Sequence, residues 1–129
     1  MQKTVLAGFD IGTSKLRCII FNKNGSIIKS FDEKTPLIKK KDGYYNPVND
    51  LYKLSLKVLK KTFDFANKNK LIVKGISISS VGEAGVIIDK NNKPLMDIIP
   101  WYDQRTSETK EKYLKKNISN IIYNNTGLN

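Results

Sequence analysis

Gly8-Phe9-Asp10-Ile11-Gly12-Thr13-Ser14-Lys15-Leu16-Arg17 sets an acid, a glycine turn, two hydroxyls and two cations between two apolar runs. The pattern predicts a strand over Val5–Phe9, a second over Leu16–Phe21, and a hairpin whose tip carries the polar residues. Such a tip can present backbone N–H groups, hydroxyls and cationic side chains to a phosphate, as anion-binding turns do. Asp10 offers the hard oxygen ligand that magnesium prefers. The same residues also describe a plain polar hairpin in which Gly12 simply supplies the turn.

Outside this stretch, 129 residues suffice for one ordinary domain. A domain of that size buries roughly two-thirds of its unfolded surface. A hydrophobic content of 40% suits a globular protein and argues against disorder. No apolar run approaches the ~20 residues that cross a bilayer. The opening Met1-Gln2-Lys3-Thr4 leads straight into an apolar run that ends at Asp10, too short and too early acidic for a secretory signal. A cytoplasmic protein with no membrane partner is therefore expected.

Cys18 is the only cysteine, which excludes an internal disulfide and a thiolate metal cluster. It falls in an apolar strand pattern and is expected to be buried and inert. The absence of histidine removes the Ser-His-Asp triad, histidine zinc sites and a histidine general base. Any catalysis must rest on carboxylates, backbone amides and a metal. The formal charge of +11 invites a nucleic-acid reading, but it is almost all lysine, with Arg17 and Arg105 the only arginines. Specific DNA readers and phosphate clamps favour arginine forks, so no nucleic-acid partner is expected. The densest run, Lys39-Lys40-Lys41, sits between Pro36 and Asp42-Gly43 as a solvated loop would. General solubility and mild attraction for anions follow.

After the opening hairpin, Asn22-Lys23-Asn24-Gly25 predicts a turn before a third strand, Ile27–Phe31. Residues 36–46 lack apolar periodicity and read as a connecting loop. A helix starts at Asn46-Pro47 or at Asn49-Asp50. Its apolar face is Leu51, Leu54, Val58, Thr62 and Phe65, widened by Leu59 and Phe63, and it ends over Asn67-Lys68-Asn69-Lys70. Strands are predicted at Leu71–Ser80 and Gly85–Asp89, a turn over residues 89–94, and a short extended segment at Leu95–Pro100. Thr106-Ser107-Glu108 is placed to cap a charged helix running towards Lys116, and Ile118, Ile121 and Ile122 repeat at helical spacing. This order points to a mixed α/β sheet whose opening hairpins are antiparallel. Thr126-Gly127-Leu128-Asn129 reads as a helix C-cap followed by a further segment, so the chain is expected to be a fragment of a longer protein.

A second informative stretch is Gly75-Ile76-Ser77-Ile78-Ser79-Ser80-Val81-Gly82-Glu83-Ala84-Gly85-Val86-Ile87-Ile88-Asp89. An apolar strand runs into a turn of small residues that carries one acid, Glu83, and Gly82 and Gly85 leave room for a ligand to approach the backbone. Trp101-Tyr102-Asp103-Gln104-Arg105-Thr106 follows, an aromatic beside an acid and an amide, as sugar sites are commonly built. Trp101 is equally readable as core, Asp103 as a partner of Arg105 or a helix cap, and Glu83 as a solvated acid.

In combination and in order, these stretches resemble the FGGY family of carbohydrate kinases, which includes xylulokinase-, gluconokinase- and glycerol kinase-like members. The resemblance runs from Asp10-Ile11-Gly12-Thr13-Ser14 through the Gly75–Asp89 stretch and Ile99-Pro100-Trp101-Tyr102-Asp103-Gln104-Arg105-Thr106 to Thr126-Gly127-Leu128. The first motif is shared across the actin/hexokinase superfamily, which includes heat-shock chaperones. The Trp-Tyr-Asp-Gln-Arg-Thr run placed behind it is more specific.

The resemblance implies a ribonuclease H-like α/β fold, with residues 1–129 forming part of the first of two domains and the C-terminal domain absent. It implies ATP-dependent phosphorylation of a sugar or polyol hydroxyl, with ATP and Mg2+ as cofactors. By resemblance, Asp10 organises magnesium and the γ-phosphate, and Gly12, Thr13, Ser14, Lys15 and Arg17 line the nucleotide phosphates. Gly82 and Glu83 match the sugar-contacting turn, and Trp101 an aromatic wall. Asp103 matches a sugar-site position at which it either touches sugar or holds the turn together with Arg105.

The Val81-Gly82-Glu83 turn lacks both the Gln-Met-His of xylulokinase-like members and the Arg of glycerol kinase-like ones, so it names no sugar. The family's general-base aspartate is expected beyond Asn129, and the chain alone is expected to be inactive. A homo-oligomer is compatible with this reading. The alternative from another class is a non-catalytic anion-binding module with the same fold.

Overall fold

Alternating burial along the opening strands explains the sheet. In a computed structural model describing residues 3–114 and 118–127, Val5, Ala7 and Phe9 of β1 (Lys3–Ile11) are buried. So are Leu16, Cys18 and Ile20 of β2 (Lys15–Phe21). The alternate residues lie on the other face, where Leu6 and Asp10 are exposed and Thr4, Gly8, Arg17 and Ile19 are half-buried. β3 (Ile27–Lys34) completes an antiparallel ladder with β2.

One helix, α1 (Val48–Lys68), covers the buried face, and Val58, Thr62 and Ala66 are its buried residues. Leu51, Leu54, Leu59 and Phe65 pack around that core as the periodicity requires, whereas Phe63 is exposed. The helix starts directly after Pro47, whose φ is −62°. β6 (Leu71–Ser80) then returns parallel to β1, giving the order β3-β2-β1-β6. Burial pushes the Cys18 thiol pKa upward against a weaker opposing hydrogen bond from Thr62, so the lone thiol is buried and little ionised.

Two expectations are corrected. Residues 36–46 contain a small hairpin, β4 (Ile38–Lys40) paired antiparallel with β5 (Gly43–Tyr45) and closed over Lys41 and Asp42. Its strands are too short to carry an apolar period, which hid them. Gly85–Asp89 is extended but joins no sheet; its one bridge is Ile88 with Pro94. The Asp89 side chain accepts from the Asn91 and Lys93 N–H groups, so the segment closes on itself in a tight turn. Ile87 and Ile88 are left exposed.

The Leu95–Pro100 segment, expected to be extended throughout, bends at Leu95 and Met96 and then docks through a bridge between Ile98 and Asn46. Two short helices follow, α2 (Ser107–Leu114) and α3 (Ser119–Thr126), the latter capped by Gly127. The expected continuation of α2 towards Lys116, and Leu128-Asn129, lie outside the described residues. Among the described residues, no helix is long and apolar enough to cross a membrane.

Candidate functional site

The β1–β2 tip is closed by the Gly12 N–H donating to the Lys15 carbonyl at 3.0 Å. Thr35, almost fully buried, pins the tip from behind: its hydroxyl donates to the Gly12 carbonyl at 2.8 Å and its N–H to the Ser14 carbonyl at 3.0 Å. With those carbonyls tied down, the Thr13 and Ser14 N–H groups have no protein acceptor among the described residues. Both residues are exposed, so the tip presents donors outward. A Cβ on Gly12 would lie 3.0 Å from the Lys15 carbonyl and 3.4 Å from Asp10 Oδ2, which puts the Asp10 carboxylate over the turn and explains the glycine.

Asp10, Arg17 and Asp32 share one row across β1, β2 and β3, on the face away from α1. Arg17 Nε is buried without a hydrogen-bond partner, an orphaned donor beside the exposed Asp10. Lys15 is half-exposed and pairs with Asp32 at 3.6 Å. No group of three or more metal-ligating side chains occurs among the described residues. Magnesium is commonly held by one or two carboxylates together with substrate phosphates and water. Asp10 fits such a role.

The end of β6 brings the second stretch to the same place. The Val81 N–H donates to the Ile11 carbonyl at 3.0 Å, so the Gly82-Glu83 turn starts beside the phosphate-type tip. Glu83 is exposed and holds φ at +57°, a left-handed conformation that costs a non-glycine residue energy and concentrates at functional turns. Nothing lies within 4 Å of a Cβ built on Gly82, so that side of the turn is open.

Trp101 occupies a corner of the turn closed by the Asp103 N–H donating to the Pro100 carbonyl at 3.0 Å. Its indole N–H donates to Thr13 Oγ1 at 3.2 Å, joining residues 88 positions apart. Trp101 is 57% exposed, so it is a wall and not core. It borders a cavity of about 220 Å3 that also touches Gly12, Thr13 and Val81. A second cavity, of about 420 Å3, shares Trp101 and Pro100 and adds Glu83, Met96, Asp103 and Arg105.

Asp103 differs from the other candidates because its carboxylate is only 4% exposed and already engaged. Arg105 Nε donates to Oδ1 at 2.7 Å and Nη2 to Oδ2 at 3.0 Å, while the Tyr44 N–H donates to Oδ2 at 3.1 Å. The Arg105 guanidinium holds the Asp103 carboxyl well below the usual carboxylate range, and Asp103 in turn raises the Arg105 pKa. Residues that sequence reasoning did not single out for the site support this assembly, among them Thr35, Asp42, Gly43, Tyr44, Tyr45, Asn46 and Asp97. Among them, Asp42-Gly43 carries a local signal as a turn dipeptide and Asn46 one as part of a helix start, neither of which points to a site.

The family model for the N-terminal domain of the FGGY family of carbohydrate kinases matches residues 5–129. A xylulose kinase of Staphylococcus epidermidis is 34% identical over 83% of this chain and 22% of its own length. A glycerol kinase of Pseudothermotoga lettingae is 29% identical over 98% of this chain and 26% of its own. Among solved structures, gluconate kinase from Lactobacillus acidophilus superposes with a TM-score of 0.80 at 20% identity, covering 95% of this chain and 24% of that one. Plasmodium falciparum glycerol kinase with ADP gives 0.77 at 19% identity, covering 86% of this chain and 23% of that one. The fold is thus the ribonuclease H-like mixed sheet of these kinases, and the chain spans about a quarter of the length of its relatives.

Proposed function

The chain belongs to the FGGY family of carbohydrate kinases, and from that premise we propose that it forms part of the first domain of an ATP-dependent kinase for a sugar or polyol. The proposed reaction joins a substrate hydroxyl oxygen to the γ-phosphorus, breaks the bond to the β–γ bridging oxygen and releases ADP. The observation that carries this reading is the indole-to-hydroxyl contact between Trp101 and Thr13, which sets an aromatic wall against a phosphate-type tip. Phosphoryl transfer asks mainly for positioning and charge stabilisation, and the two halves of that contact divide those tasks.

In this reading the outward N–H groups and hydroxyls of Thr13 and Ser14 receive phosphate oxygens, with Gly12 allowing the close approach. Lys15 and the orphaned Arg17 Nε add positive charge beside them. Asp10 holds magnesium, which when bound neutralises charge on the phosphates. The sugar lies against Trp101 in the cavity of about 420 Å3, with Glu83 accepting hydrogen bonds from its hydroxyls beside the open Gly82. Asp103 is unsuited to take the hydroxyl proton, because a carboxylate whose pKa is driven down is a weak base. We assign that base, and the remaining nucleotide contacts, to sequence beyond these residues. ATP as donor makes the cytoplasm the expected compartment.

The test is ADP release by the protein together with whatever continuation its gene encodes, over a panel of ketopentoses, gluconate and glycerol. Sugar-dependent release is expected with at least one of them, and Asp10→Asn should lower it by on the order of a hundredfold or more, as loss of a charge-stabilising group does. A folded protein that releases no ADP with any of them, or an Asp10→Asn variant of unchanged turnover, would overturn the reading.

A further inference from the structure

The turn that carries Trp101 is anchored at one end by a compact polar assembly on the small hairpin. Arg105 Nη1 donates to the Tyr45 hydroxyl at 2.9 Å, and its Cζ lies 4.8 Å from the centre of the Tyr45 ring. The Tyr45 hydroxyl donates to Asp42 Oδ2 at 2.5 Å. Asp103 takes two guanidinium donors and the backbone N–H of Arg105, together with the N–H of Tyr44. All of these partners belong to β5 or the loop that precedes it.

Gly43 is the point of closest approach. Its φ is +146°, and a Cβ there would fall 2.5 Å from Arg105 Nη2 and 2.6 Å from Asp103 Oδ2. The backbone conformation and the missing side chain are both needed for the two charged groups to seat. At the other end of the turn, Asn46 and Ile98 exchange backbone hydrogen bonds of 2.9 and 3.1 Å. The Pro100-to-Asp103 turn is therefore held on both sides by the β4–β5 hairpin and the residue that follows it.

We infer that the hairpin is an orienting device for the aromatic wall: Asp103, Arg105 and Gly43 are positioning residues that fix the Trp101 ring against Thr13, and Asp103 does not bind sugar. That the ring faces a sugar rests on the proposed function; that the clamp holds the ring does not. An arginine fork is what the geometry demands, because Nε, Nη1 and Nη2 each serve a different contact. Lysine keeps the charge but cannot reproduce that pattern.

Trp101 is the only tryptophan among these 129 residues, so a chain of these residues gives a single indole N–H resonance whose position and exchange rate report its hydrogen bond. Thr13→Val supplies the reference for a ring without its acceptor. In Arg105→Lys, with the core amide pattern of β1 and β2 intact, the indole resonance should move towards that reference. Its exchange should rise roughly two- to tenfold, the equivalent of one net hydrogen bond. Gly43→Ala should do the same, by pushing the two side chains apart.

A folded Arg105→Lys chain whose indole resonance and exchange stay at the unsubstituted values would overturn the inference. So would an Arg105→Lys chain that fails to fold, since the fork would then be holding the fold and not the ring. If Gly43→Ala fails to fold, Arg105→Lys alone decides. The measurement uses neither sugar nor ATP, so a failed clamp and a failed kinase reading are told apart.

Discussion

The two halves of the candidate site are held by different forces. The sheet and α1 are joined by apolar burial: Leu16, Ile20 and Val58 are fully enclosed, and neighbouring side chains close over them. The strap formed by residues 81–106 contains exposed apolar residues, Ile87 at 62% and Leu95 at 65%, and is pinned largely by hydrogen bonds and ion pairs. Its pins are Ile98 on Asn46, Asp97 on Lys40 and the Val48 N–H, Asp103 on Tyr44, and Trp101 on Thr13. A close-packed core resists displacement as a whole, whereas exposed hydrogen bonds can be exchanged one at a time for bonds to water at little net cost. The phosphate-type tip therefore grows from the rigid region, and the proposed sugar wall from the adjustable one. Under the proposed function, that division would let the substrate-facing loop vary on a scaffold that does not.

The comparison predicts which half fails under which perturbation. Leu16→Ala should have the largest effect, costing about 2–5 kcal/mol for a fully enclosed leucine. A denaturant melt should show the strap indole and the far-ultraviolet signal lost together, since the strap has no core of its own. Separate transitions would show that the strap folds independently.

Asp97→Ala is the converse. Asp97 Oδ1 accepts from the first N–H of α1 at 3.3 Å, and Oδ2 accepts from Lys40 at 3.0 Å. Its removal strips the helix start of a distant cap and should cost about 0.5–2 kcal/mol. Hydrogen exchange should accelerate at Val48 and Ile98 and stay unchanged at Val5 and Cys18. Equal acceleration across the sheet would erase the distinction between the two regions.

The same distinction explains what the sequence made legible. The period-two alternation of Val5, Ala7 and Phe9 and the helical stripe through Val58 and Thr62 are statements about burial, and burial writes itself into a local pattern. Asp10, Gly12 and Trp101 stood out because their residue types are informative wherever they fall. The hydrogen bonds of Thr35 to the tip and of Asp97 to α1 left no trace, since the donor and acceptor lie 23 and 49 residues apart and both are common polar types. Gly85–Asp89 departs from its expected strand for a related reason: apolar β-branched residues predict an extended chain but not a partner, and here the Asp89 turn folds the segment back on itself. The Glu83 φ of +57° is also invisible in residue type, because nothing in a Gly-Glu-Ala run favours a left-handed glutamate.

The smallest predicted effect separates the ion pairs of the two regions by pH. Glu33 on β3 accepts from Lys61 at 2.7 Å and pairs with Lys57 at 2.9 Å, both on α1. These contacts, led by the Lys61 hydrogen bond, lower its pKa from 4.5 to about 2. A carboxylate whose pKa falls on folding stabilises the folded state fully above its unfolded value. That stabilisation fades as pH drops from 4.5 and is gone near 2. Asp103 starts from an ordinary value of 3.8 and is driven lower still, so its contribution begins to fade at more acid pH and outlasts that of Glu33.

Glu33→Gln should therefore flatten the decline of Tm between pH 4.5 and pH 2 while leaving Tm at neutral pH only slightly reduced, as solvent-screened pairs with two exposed lysines require. The indole N–H of Trp101 should keep its resonance through the upper part of that window, because the clamp beside it stays ionised. An indole shift that tracked the Glu33 titration would mean that α1 and the strap are one electrostatic unit, and that the rigid scaffold and its adjustable wall are not separable after all.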